Sequence, residues 1–581
     1  MKKIYGFAFA AAIMSLASCS NDSEPVVNPT PGEETPAGFV SFHISSANST
    51  RAGQDDGFDD GETYERTAND ATFLFFDGTG VQTQAPQTIA LTFKPNASND
   101  APAVSDISDP VVAVSGRDDK KPTEAVVILN CPSTIDFNGK SKTEVLSLVT
   151  NATVDTKDAF VMSNAAYFNG STKVIATPLV DAAGNSAVYA TRDKAAESPV
   201  NIYVERLAAK VQISFATTNG ITTTNFEPST TDIDINGKGK VTILPVITGM
   251  TLANQAQSMY LVKNVGEWSA LDINDAANFR VNWAITPENT PLKNFSYNVL
   301  TDGVTDWKAY ASAPVYIREN TLANGVTYEN GTTDDKISRK TSVLLTAKLV
   351  IKNGTEVEEL TDGLVRWAGI YYTPTQFKVQ ACNFLRDYYI VDEEATAEDK
   401  TGAIHYKNFA DPSMLTYMSM EDHETYLDQN LKQWQTILKV DASKLPTEVY
   451  TYDKDSEKYV AFTGNLAETL NSVLAEKDNR FWYWTQGYAY YFVEIAAGNK
   501  AIVEGTGDDQ TTDSTYEYGV VRNNSYSISL RSLSGLGVPV YNPDEDIIPQ
   551  TPDEKLWFVG ARINILKWRM VSQAADFNGN Y

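Results

Sequence analysis

The chain has 581 residues, of which 42% are hydrophobic and 11% aromatic, and its formal net charge at pH 7 is −27. This length and apolar content predict two or more domains with buried cores, and they exclude a chain that is disordered throughout. The acidic balance excludes a nucleic-acid-binding surface, because phosphate recognition needs clustered Lys and Arg and no basic stripe is present.

The N-terminus has the pattern of a lipoprotein signal peptide over residues 1–18. Lys2 and Lys3 form a basic start, and Ile4–Met14 form an apolar segment that is too short to span a bilayer. A lipobox, Leu-Ala-Ser-Cys, ends at Cys19. We predict that Cys19 becomes the lipidated, palmitate-bearing first residue, anchored to the outer membrane. An ordinary secretory signal followed by an unrelated cysteine is the alternative.

A short strand follows a proline-rich tether. Residues 20–38 combine Pro with Glu and Thr, which indicates an extended, unpacked segment. Within Phe39–Ser45 the apolar residues Val40, Phe42 and Ile44 recur at every second position. This period predicts a strand with one buried face.

A polar loop with one arginine separates this strand from the rest. Residues 46–65 are rich in Ser, Asn, Gly and Asp without apolar periodicity, which predicts a mobile, protease-accessible loop. Between residues 20 and 65 there are ten acidic side chains and one basic one, Arg51. Arg66 is the next candidate for proteolysis, but it lies close to the strand predicted at Thr72.

From Ala71 onward, short strands rich in Thr, Tyr, Val and Ile recur with turn residues between them, which predicts a mainly β protein of antiparallel sandwiches. A capping box at Ser141–Glu144 predicts a short helix. Two more helices are predicted, over residues 420–438 and 465–477, from apolar residues on one helical face. The Thr-, Asn- and Gly-rich stretch 217–240 is the predicted domain boundary. The predicted organisation is a signal peptide at 1–18, a propeptide at 19–51, two β-sandwich domains at 52–228 and 229–541, and a C-terminal tether and strand at 542–581.

Catalytic and metal chemistry finds little support. None of the three histidines has a ligand-spaced partner, and His423-Glu424 lacks the second histidine of a zincin because Leu427 occupies that position. We therefore predict no cofactor, no metal and no enzymatic activity. Cys131 and Cys382 each follow a strand-like run, which favours two separate buried thiols over a disulfide.

The aromatic cluster Phe481–Phe492 has two interpretations. Trp482, Trp484, Tyr488 and Tyr490 could form a stacking platform for sugars, or they could belong to the core of a central strand. The core interpretation is the favoured one.

The C-terminal end combines a long tether with a strongly apolar strand. Residues 541–555 are acidic and punctuated by proline, which predicts an extended leash. The segment that follows, Leu556–Val571, alternates in the manner of a strand with one buried face. Its predicted buried positions are Trp557, Val559, Ala561, Ile563 and Ile565. We expect a strand this apolar, at the end of so long a tether, to dock in a groove far from where the tether starts.

Several of these motifs together resemble the precursors of Bacteroidota fimbrillins, the type V pilins, and most closely the major structural subunit of a short fimbria. The lipobox and acidic tag are followed by an early strand and then by the run Ser49–Gly53 around the lone arginine. Later runs that agree are Val204–Val211, Ile247–Asn254 and, most specifically, Val520–Leu530. Lys567 is a departure, since proline is expected before Trp568.

The resemblance implies two transthyretin-like β-sandwich domains and assembly by strand exchange. An arginine-specific protease would cut between Arg51 and Ala52 and thereby remove the strand Phe39–Ser45. The C-terminal segment Leu556–Val571 of a neighbouring copy would then fill the vacancy. In the uncut precursor the groove is still filled, so the tail is expected to be disordered or loosely laid on the surface.

The implied protein is a structural subunit of a surface fimbrium that mediates adhesion and biofilm formation. Its partners would be other copies of itself, fimbrial anchor and tip subunits, the protease and, through the lipid, the outer membrane. Two alternatives stay open, a surface-anchored glycan-binding lipoprotein and an anchor or tip subunit of the same fimbria.

Overall fold

The computed structural model confirms the predicted mainly β fold. It describes residues 38–46, 61–91, 110–114, 121–153, 155–156, 159–169, 172–215, 228–236, 239–266, 281, 283–302, 313–327, 331, 333–392, 405–427, 432–497, 501–504, 511–513, 519–550, 557–566 and 571–573. Cys19, Arg51 and Ala52, the predicted lipidation and cleavage positions, lie outside these ranges.

The N-terminal part is built on an eight-stranded sheet in the order β3-β2-β5-β9-β13-β1-β4, with β12 added beside β5. Its strands and the short strands around it are β1 Gly38–Ser46, β2 Asp70–Phe76, β3 Gln87–Ala90, β4 Val111–Val114, β5 Glu124–Leu129, β6 Val149–Thr150, β7 Asp155–Thr156, β8 Ala159–Phe160, β9 Met162–Asn164, β10 Tyr167–Asn169, β11 Thr172–Val174, β12 Thr177–Pro178 and β13 Val200–Arg206. The helices are α1 Thr63–Arg66, α2 Lys142–Leu146 and α3 Arg192–Ala196. Helix α2 starts with a capping box between Ser141 and Glu144.

The middle of the chain supplies most of a second, two-layered unit. Its strands are β14 Ala209–Phe215, β15 Thr231–Ile235, β16 Gly239–Ala253, β17 Gln255–Ala256, β18 Met259–Tyr260, β19 Leu292–Lys293, β20 Val315–Ile317, β21 Val326–Thr327, β22 Thr333–Asp334, β23 Ser342–Asn353, β24 Glu356–Glu359, β25 Leu364–Trp367 and β26 Ile370–Tyr372. Helix α4 spans Tyr297–Asp302.

The C-terminal part completes that unit and adds a small inserted one, whose own buried cluster contains residues from Val365 to Phe481. Its strands are β27 Tyr388–Val391, β28 Tyr406–Asn408, β29 Leu415–Tyr417, β30 Gln435–Thr436, β31 Leu438–Val440, β32 Tyr450–Asp453, β33 Lys458–Ala461, β34 Phe481–Trp484, β35 Tyr488–Glu494, β36 Ala501–Glu504, β37 Thr511–Asp513, β38 Ser525–Gly535, β39 Val538–Pro539, β40 Trp557–Leu566 and β41 Val571–Gln573. The α-helices are α5 Pro374–Ala381, α6 Met420–Leu427 and α7 Leu466–Leu474. Short 3-10 helices span Cys382–Leu385, Pro412–Met414, Ala442–Lys444, Lys477–Asn479 and Thr485–Gly487.

Two sheets enclose the larger core. One has five strands in the order β20-β14-β38-β40-β41, and the other has ten, including β15, β16, β23, β35 and β39. Ile213 and Ile528 from the first sheet and Leu345 and Tyr490 from the second belong to the same buried cluster. Because both sheets contribute to one core, this part of the chain is a β-sandwich.

The change from one core to the next is abrupt. Leu207 and Ala208 belong to the N-terminal core, whereas Ala209, Val211 and Ile213 belong to the larger second core. Strand β14, which the predicted boundary assigns to the N-terminal domain, therefore packs with the second unit. The reason is its parallel pairing with β38, from Lys210 opposite Ser525 to Phe215 opposite Leu530.

The helical predictions in the inserted unit hold in one case and are too long in the other. Helix α7 begins after the cap Asn465, which accepts a hydrogen bond from the Glu468 amide, and it buries Leu470 and Leu474. Helix α6 ends at Leu427, so the predicted helix over residues 420–438 is wrong in its second half. None of the described helices is both long and apolar enough to cross a bilayer.

Candidate functional site

Strand β1 joins two parts of the N-terminal sheet. Its first half, Gly38–Ser41, pairs antiparallel with β4, and its second half, Phe42–Ser46, pairs parallel with β13. Among the described strands, β4 has no other partner. Removing β1 would therefore leave β4 unpaired and expose one edge of β13.

The three alternating apolar side chains of β1 lie in the core. Val40 and Phe42 are 0% exposed and Ile44 is 2% exposed. The Phe42 ring stacks on Phe73 at a centroid distance of 4.9 Å and lies 6.1 Å from Phe75. Loss of the strand would thus open an aromatic-lined groove. Each large apolar side chain that fills it again would contribute about 1.5 to 3 kcal/mol of burial free energy.

The backbone of β1 is held from more than one side. The Phe39 amide donates to the Tyr189 carbonyl at 2.7 Å, and the Tyr189 amide donates back at 2.9 Å. The Phe42 amide donates to the carbonyl of Pro110 at 3.1 Å. At Gly38 a Cβ atom would lie 2.6 Å from Val188 Cγ1, so this close approach requires glycine.

One polar residue of β1 fits the groove poorly. Ser41 is 1% exposed, and its Oγ has no hydrogen-bond partner among the described residues. A buried hydroxyl without a partner costs about 1 to 3 kcal/mol. Strand β1 is therefore bound in its groove less strongly than the burial of its three apolar side chains alone would give.

The C-terminal segment forms strand β40 and is placed on its own chain. It pairs antiparallel with β38, from Ser525 opposite Leu566 to Gly535 opposite Trp557, with an irregularity between Leu530 and Ser532. Strand β41 pairs on its outer side. The expectation that the tail lies loose in a single copy is wrong, because β38 has an edge that a strand can extend.

The predicted donor positions therefore lie along β38 in this structure, and none of them lies beside β1. Trp557, Val559, Ala561, Ile563 and Ile565 stand opposite positions 535, 533, 530, 528 and 526. The site thus has two separate parts, a groove filled by β1 in the first core and a strand stored on the second.

Helix α1 links the segment after the predicted cut to the junction between the two cores. The Glu65 side chain is fully buried and lies 2.8 Å from Lys210 Nζ, and it accepts a hydrogen bond from the Tyr316 hydroxyl. Arg206 Nε donates to the Glu65 carbonyl at 2.5 Å, and the Arg206 guanidinium also donates to Asn523 Oδ1 at 3.1 Å. Burial, followed by the neighbouring Glu65 carboxylate, raises the pKa of Tyr316.

Two further ion pairs are fully buried beside this junction. Arg522 Nε lies 2.7 Å from Glu319 Oε2 and its second nitrogen lies 2.5 Å from Oε1, a bidentate pair. Lys263 Nζ lies 2.7 Å from Glu205 Oε2. Sequence reasoning missed these residues, because single charged residues in strand-rich runs carry no signal of burial.

The aromatic run around Trp482 is part of the core. Trp482, Trp484 and Tyr490 are 9%, 0% and 1% exposed. Tyr488 is half-buried and packs on Tyr297 at 4.5 Å. The core interpretation of this cluster is therefore right, and these rings offer no platform to a sugar.

The remaining candidate residues have structural surroundings. Cys131 and Cys382 are free thiols, both half-buried, and burial raises the pKa of Cys131 to about 12. His423 is buried and its Nε2 lies 2.7 Å from the Gln435 carbonyl. Within the described ranges no group of three or more His, Cys, Asp or Glu side chains could hold a metal ion.

Comparison with known families gives one match. Residues 482–574 match the family model described as major fimbrial subunit protein type IV, fimbrillin, C-terminal. The resemblance to fimbrillins that the sequence predicts is confirmed over this region. No curated protein was found to match the chain in sequence.

Solved structures from the Bacteroidota are similar at low identity. A fimbrilin from Porphyromonas gingivalis is 13% identical, with 93% of this chain and 99% of that chain covered and a TM-score of 0.32. The tip fimbrial protein of the same organism is 10% identical over 91% and 98%, with a TM-score of 0.27. A fimbrial assembly protein from Parabacteroides distasonis is 12% identical over 55% and 83%, also with a TM-score of 0.27.

Proposed function

From the fimbrillin match over residues 482–574, we propose that this protein is the major structural subunit of a surface fimbrium. Copies polymerise head to tail by donor-strand exchange after an arginine-specific protease cuts between Arg51 and Ala52. The role is structural and not catalytic. The fimbrium mediates adhesion and biofilm formation, and the lipid on Cys19 holds the precursor at the outer membrane.

The observation that carries this proposal is the position of β1. It is a strand with three buried side chains, it is the one described strand partner of β4, and it lies N-terminal to the lone arginine of the loop. Once the chain is cut, β1 is held by non-covalent contacts alone. A strand from another copy can then compete for the same groove.

Within the groove, burial of apolar side chains favours the incoming strand, before the cost of releasing β40 from β38 is counted. The outgoing strand supplies Val40, Phe42 and Ile44 but also buries the unpartnered hydroxyl of Ser41. The incoming strand has four large apolar residues, Trp557, Val559, Ile563 and Ile565, which contribute about 6 to 12 kcal/mol at about 1.5 to 3 kcal/mol each before ordering costs.

Donation requires that β40 first leaves β38. After it leaves, β38 still pairs with β14 on its other side, so three strands of the five-stranded sheet, β20, β14 and β38, stay paired. The predicted extended leash over residues 541–555 is wrong for its first ten residues, because Tyr541, Ile547 and Gln550 are buried and the Ile547 amide donates to the Phe295 carbonyl at 3.0 Å. For β40 to reach a neighbouring copy, this packed segment must be released or the residues after Gln550 must span the distance. Partners in the same assembly are fimbrial anchor and tip subunits, and the domains are those predicted from the sequence, with β14 reassigned to the second.

The test is reconstitution of assembly from purified protein lacking residues 1–18. Treatment with an arginine-specific protease should yield a new N-terminus at Ala52 and filaments visible by electron microscopy. Arg51→Ala should remain uncut and monomeric. A chain truncated after Asp553 should be cut normally and remain a folded monomer.

Two results would overturn the proposal. One is filament formation by Arg51→Ala or by the truncated chain at the wild-type rate. The other is filaments whose subunits still carry the segment Phe39–Ser45, as read by N-terminal sequencing.

A further inference from the structure

A small sheet in the inserted unit gathers tyrosines on one face. The sheet has four strands in the order β28-β27-β32-β33. Tyr389 stands opposite Tyr450, and Tyr452 stands opposite Tyr459. Since directly opposed residues and every second residue share a face, the register brings five rings together: Tyr389, Tyr406, Tyr450, Tyr452 and Tyr459.

The rings form one continuous aromatic surface, which we call the tyrosine face. Tyr406 and Tyr459 stack at 4.2 Å with an interplanar angle of 21°. Tyr389 and Tyr452 each meet Tyr459 edge-on, at 5.0 and 5.1 Å. Tyr450 meets Tyr406 edge-on at 5.0 Å. These mutual contacts hold the rings in fixed orientations without a covering layer.

The opposite face of the same sheet is the one that packs inward. Tyr388, Ile390 and Phe462 lie against the buried cluster around Phe377 and Leu470. None of the five rings of the tyrosine face belongs to a hydrophobic cluster of the described chain. One face of the inserted sheet thus packs on the core of its own unit, and the other face presents the aromatic surface.

The tyrosine face is accessible and has hydrogen-bonding capacity to spare. Tyr452 is 44% exposed, and the other four rings are half-buried by one another. Within the described residues none of the five hydroxyls has a hydrogen-bond partner. An exposed aromatic surface rimmed by hydroxyls marks a binding site rather than a solvated surface.

Among the described residues of the four strands, none on the tyrosine face is charged, although the chain as a whole carries −27. Along the strands of this sheet the charged residues Asp392, Lys407, Asp453 and Lys458 fall on alternate positions to the tyrosines, so they lie on the other face. Asp392 and Lys407 pair with each other at 2.9 Å. Side chains of this face therefore offer no salt-bridge partner, so a ligand need not be charged to fit it.

We propose that the tyrosine face binds a neutral glycan. A pyranose ring presents C–H groups on its face, which stack on an aromatic ring, and hydroxyls on its rim, which pair with tyrosine hydroxyls. The rings lie side by side on a sheet surface, which suits a sugar ring better than a proline-rich peptide, since peptides of that kind dock in aromatic-lined grooves. This binding needs no assembly, although the proposed filament would multiply it through avidity.

The test uses monomeric, unprocessed protein, so it is independent of strand exchange. The protein is run in native gels that contain dextran, mannan, galactan or hydroxyethyl cellulose, and retardation gives the affinity for each polymer. We expect at least one of these neutral polymers to retard the wild type, and anionic chondroitin sulfate not to. Tyr406→Ala/Tyr459→Ala should bind about tenfold more weakly, because two stacking rings are lost.

Matched variants separate binding from folding. Val460→Ala changes an exposed residue on the opposite face of the same sheet and should bind as the wild type does. Tyr459→Phe keeps the ring and should retain most of the affinity. Tyr452→Ala removes the most exposed ring and should weaken binding with an unchanged unfolding temperature, even if the double variant folds poorly.

Three outcomes overturn the proposal. The first is no retardation of the wild type in any of the four neutral gels. The second is retardation that Tyr452→Ala and the double variant leave unchanged. The third is tyrosine-dependent binding of a synthetic peptide of residues 25–36, the proline-rich segment of this chain, without binding of any polysaccharide.

Discussion

Phe42→Ala is the most direct test of the role assigned to β1. The Phe42 side chain is fully buried between Phe73 and Phe75, so truncation removes a ring and leaves a cavity that the flanking strands cannot close. Substitutions of this kind cost about 3 to 5 kcal/mol. In the uncut precursor the free energy of unfolding of the first core should fall by that amount.

The measurement must read the first core separately, because the chain has two cores and need not unfold in one step. Hydrogen exchange at the amides of β5 and β13 reports opening of the N-terminal sheet, and urea unfolding followed by circular dichroism reports the whole chain. After cleavage at Arg51 the same loss should lower the occupancy of the groove by the cut strand by about a hundredfold or more.

Phe39→Ala is the matched control, since Phe39 lies in the same strand but is half-buried and outside the core. It should cost no more than about 1 kcal/mol. Equal effects of the two substitutions, or a loss below about 1 kcal/mol for Phe42→Ala, would refute the view that β1 is held chiefly by its apolar face.

Three further predictions concern single contacts. Ser41→Ala removes the unpartnered buried hydroxyl, so it should stabilise the first core by about 1 kcal/mol in urea unfolding and slow strand release after cleavage; a destabilised variant would mean that the hydroxyl has a partner. Arg522→Met leaves the Glu319 carboxylate buried and unpaired, and should cost about 3 to 5 kcal/mol, whereas adding Glu319→Leu should restore much of that loss; no recovery in the double variant would contradict the ion-pair argument. Hydrogen bonds from the hydroxyl of Ser141, and then from its amide, lower the pKa of Glu144 in the folded chain. The stability they add is therefore present above the ordinary glutamate pKa and is lost as pH falls through the lowered value. Ser141→Ala should move the Glu144 titration, followed by NMR, upward toward its ordinary range, and an unchanged titration would disprove the cap.

Local periodicity was sufficient to predict several elements. The alternation of Val40, Phe42 and Ile44 predicts a strand with one buried face, and those three side chains are buried in β1. The strand predicted within Leu556–Val571 forms as Trp557–Leu566. Each of these predictions depends on neighbours within about ten residues, where the side-chain period of a strand is directly readable.

Long-range pairing was not predictable from the same patterns. The sequence indicates that Trp557–Leu566 is a strand, but it does not name β38 as its partner, because any unpaired edge of suitable length satisfies the backbone equally well. The change of core at Ala208 and Ala209 is hidden for a related reason. No Gly, Pro or polar run interrupts the chain there, since β13 passes almost directly into β14.

The tyrosine face was missed because its members are dispersed. They lie on four strands between residues 389 and 459, and only the register of those strands shows that they share a surface. The dense run Phe481–Phe492 suggested the glycan hypothesis instead, but it forms two strands, β34 and β35, and Trp482, Trp484 and Tyr490 in them are buried. Dispersed aromatic residues on an inserted sheet are thus better candidates for an exposed platform than a dense aromatic run in a core strand.

The two parts of the proposed exchange site lie on different cores of one subunit, and this determines the kind of assembly that can form. The groove of β1 belongs to the first core, whereas the chain that leads to the donor strand is packed on the second core as far as Gln550. A contact between unlike surfaces is head to tail, and it grows into a filament unless the rotation between copies closes a ring.

The load along such a filament must cross the junction between the cores in every copy. That junction is where Glu65, Arg206 and Arg522 make buried, charge-assisted contacts, and such contacts are directional in a way that apolar packing is not. The polar junction would therefore fix the angle between the two sandwiches, and with it the rise and rotation from one copy to the next.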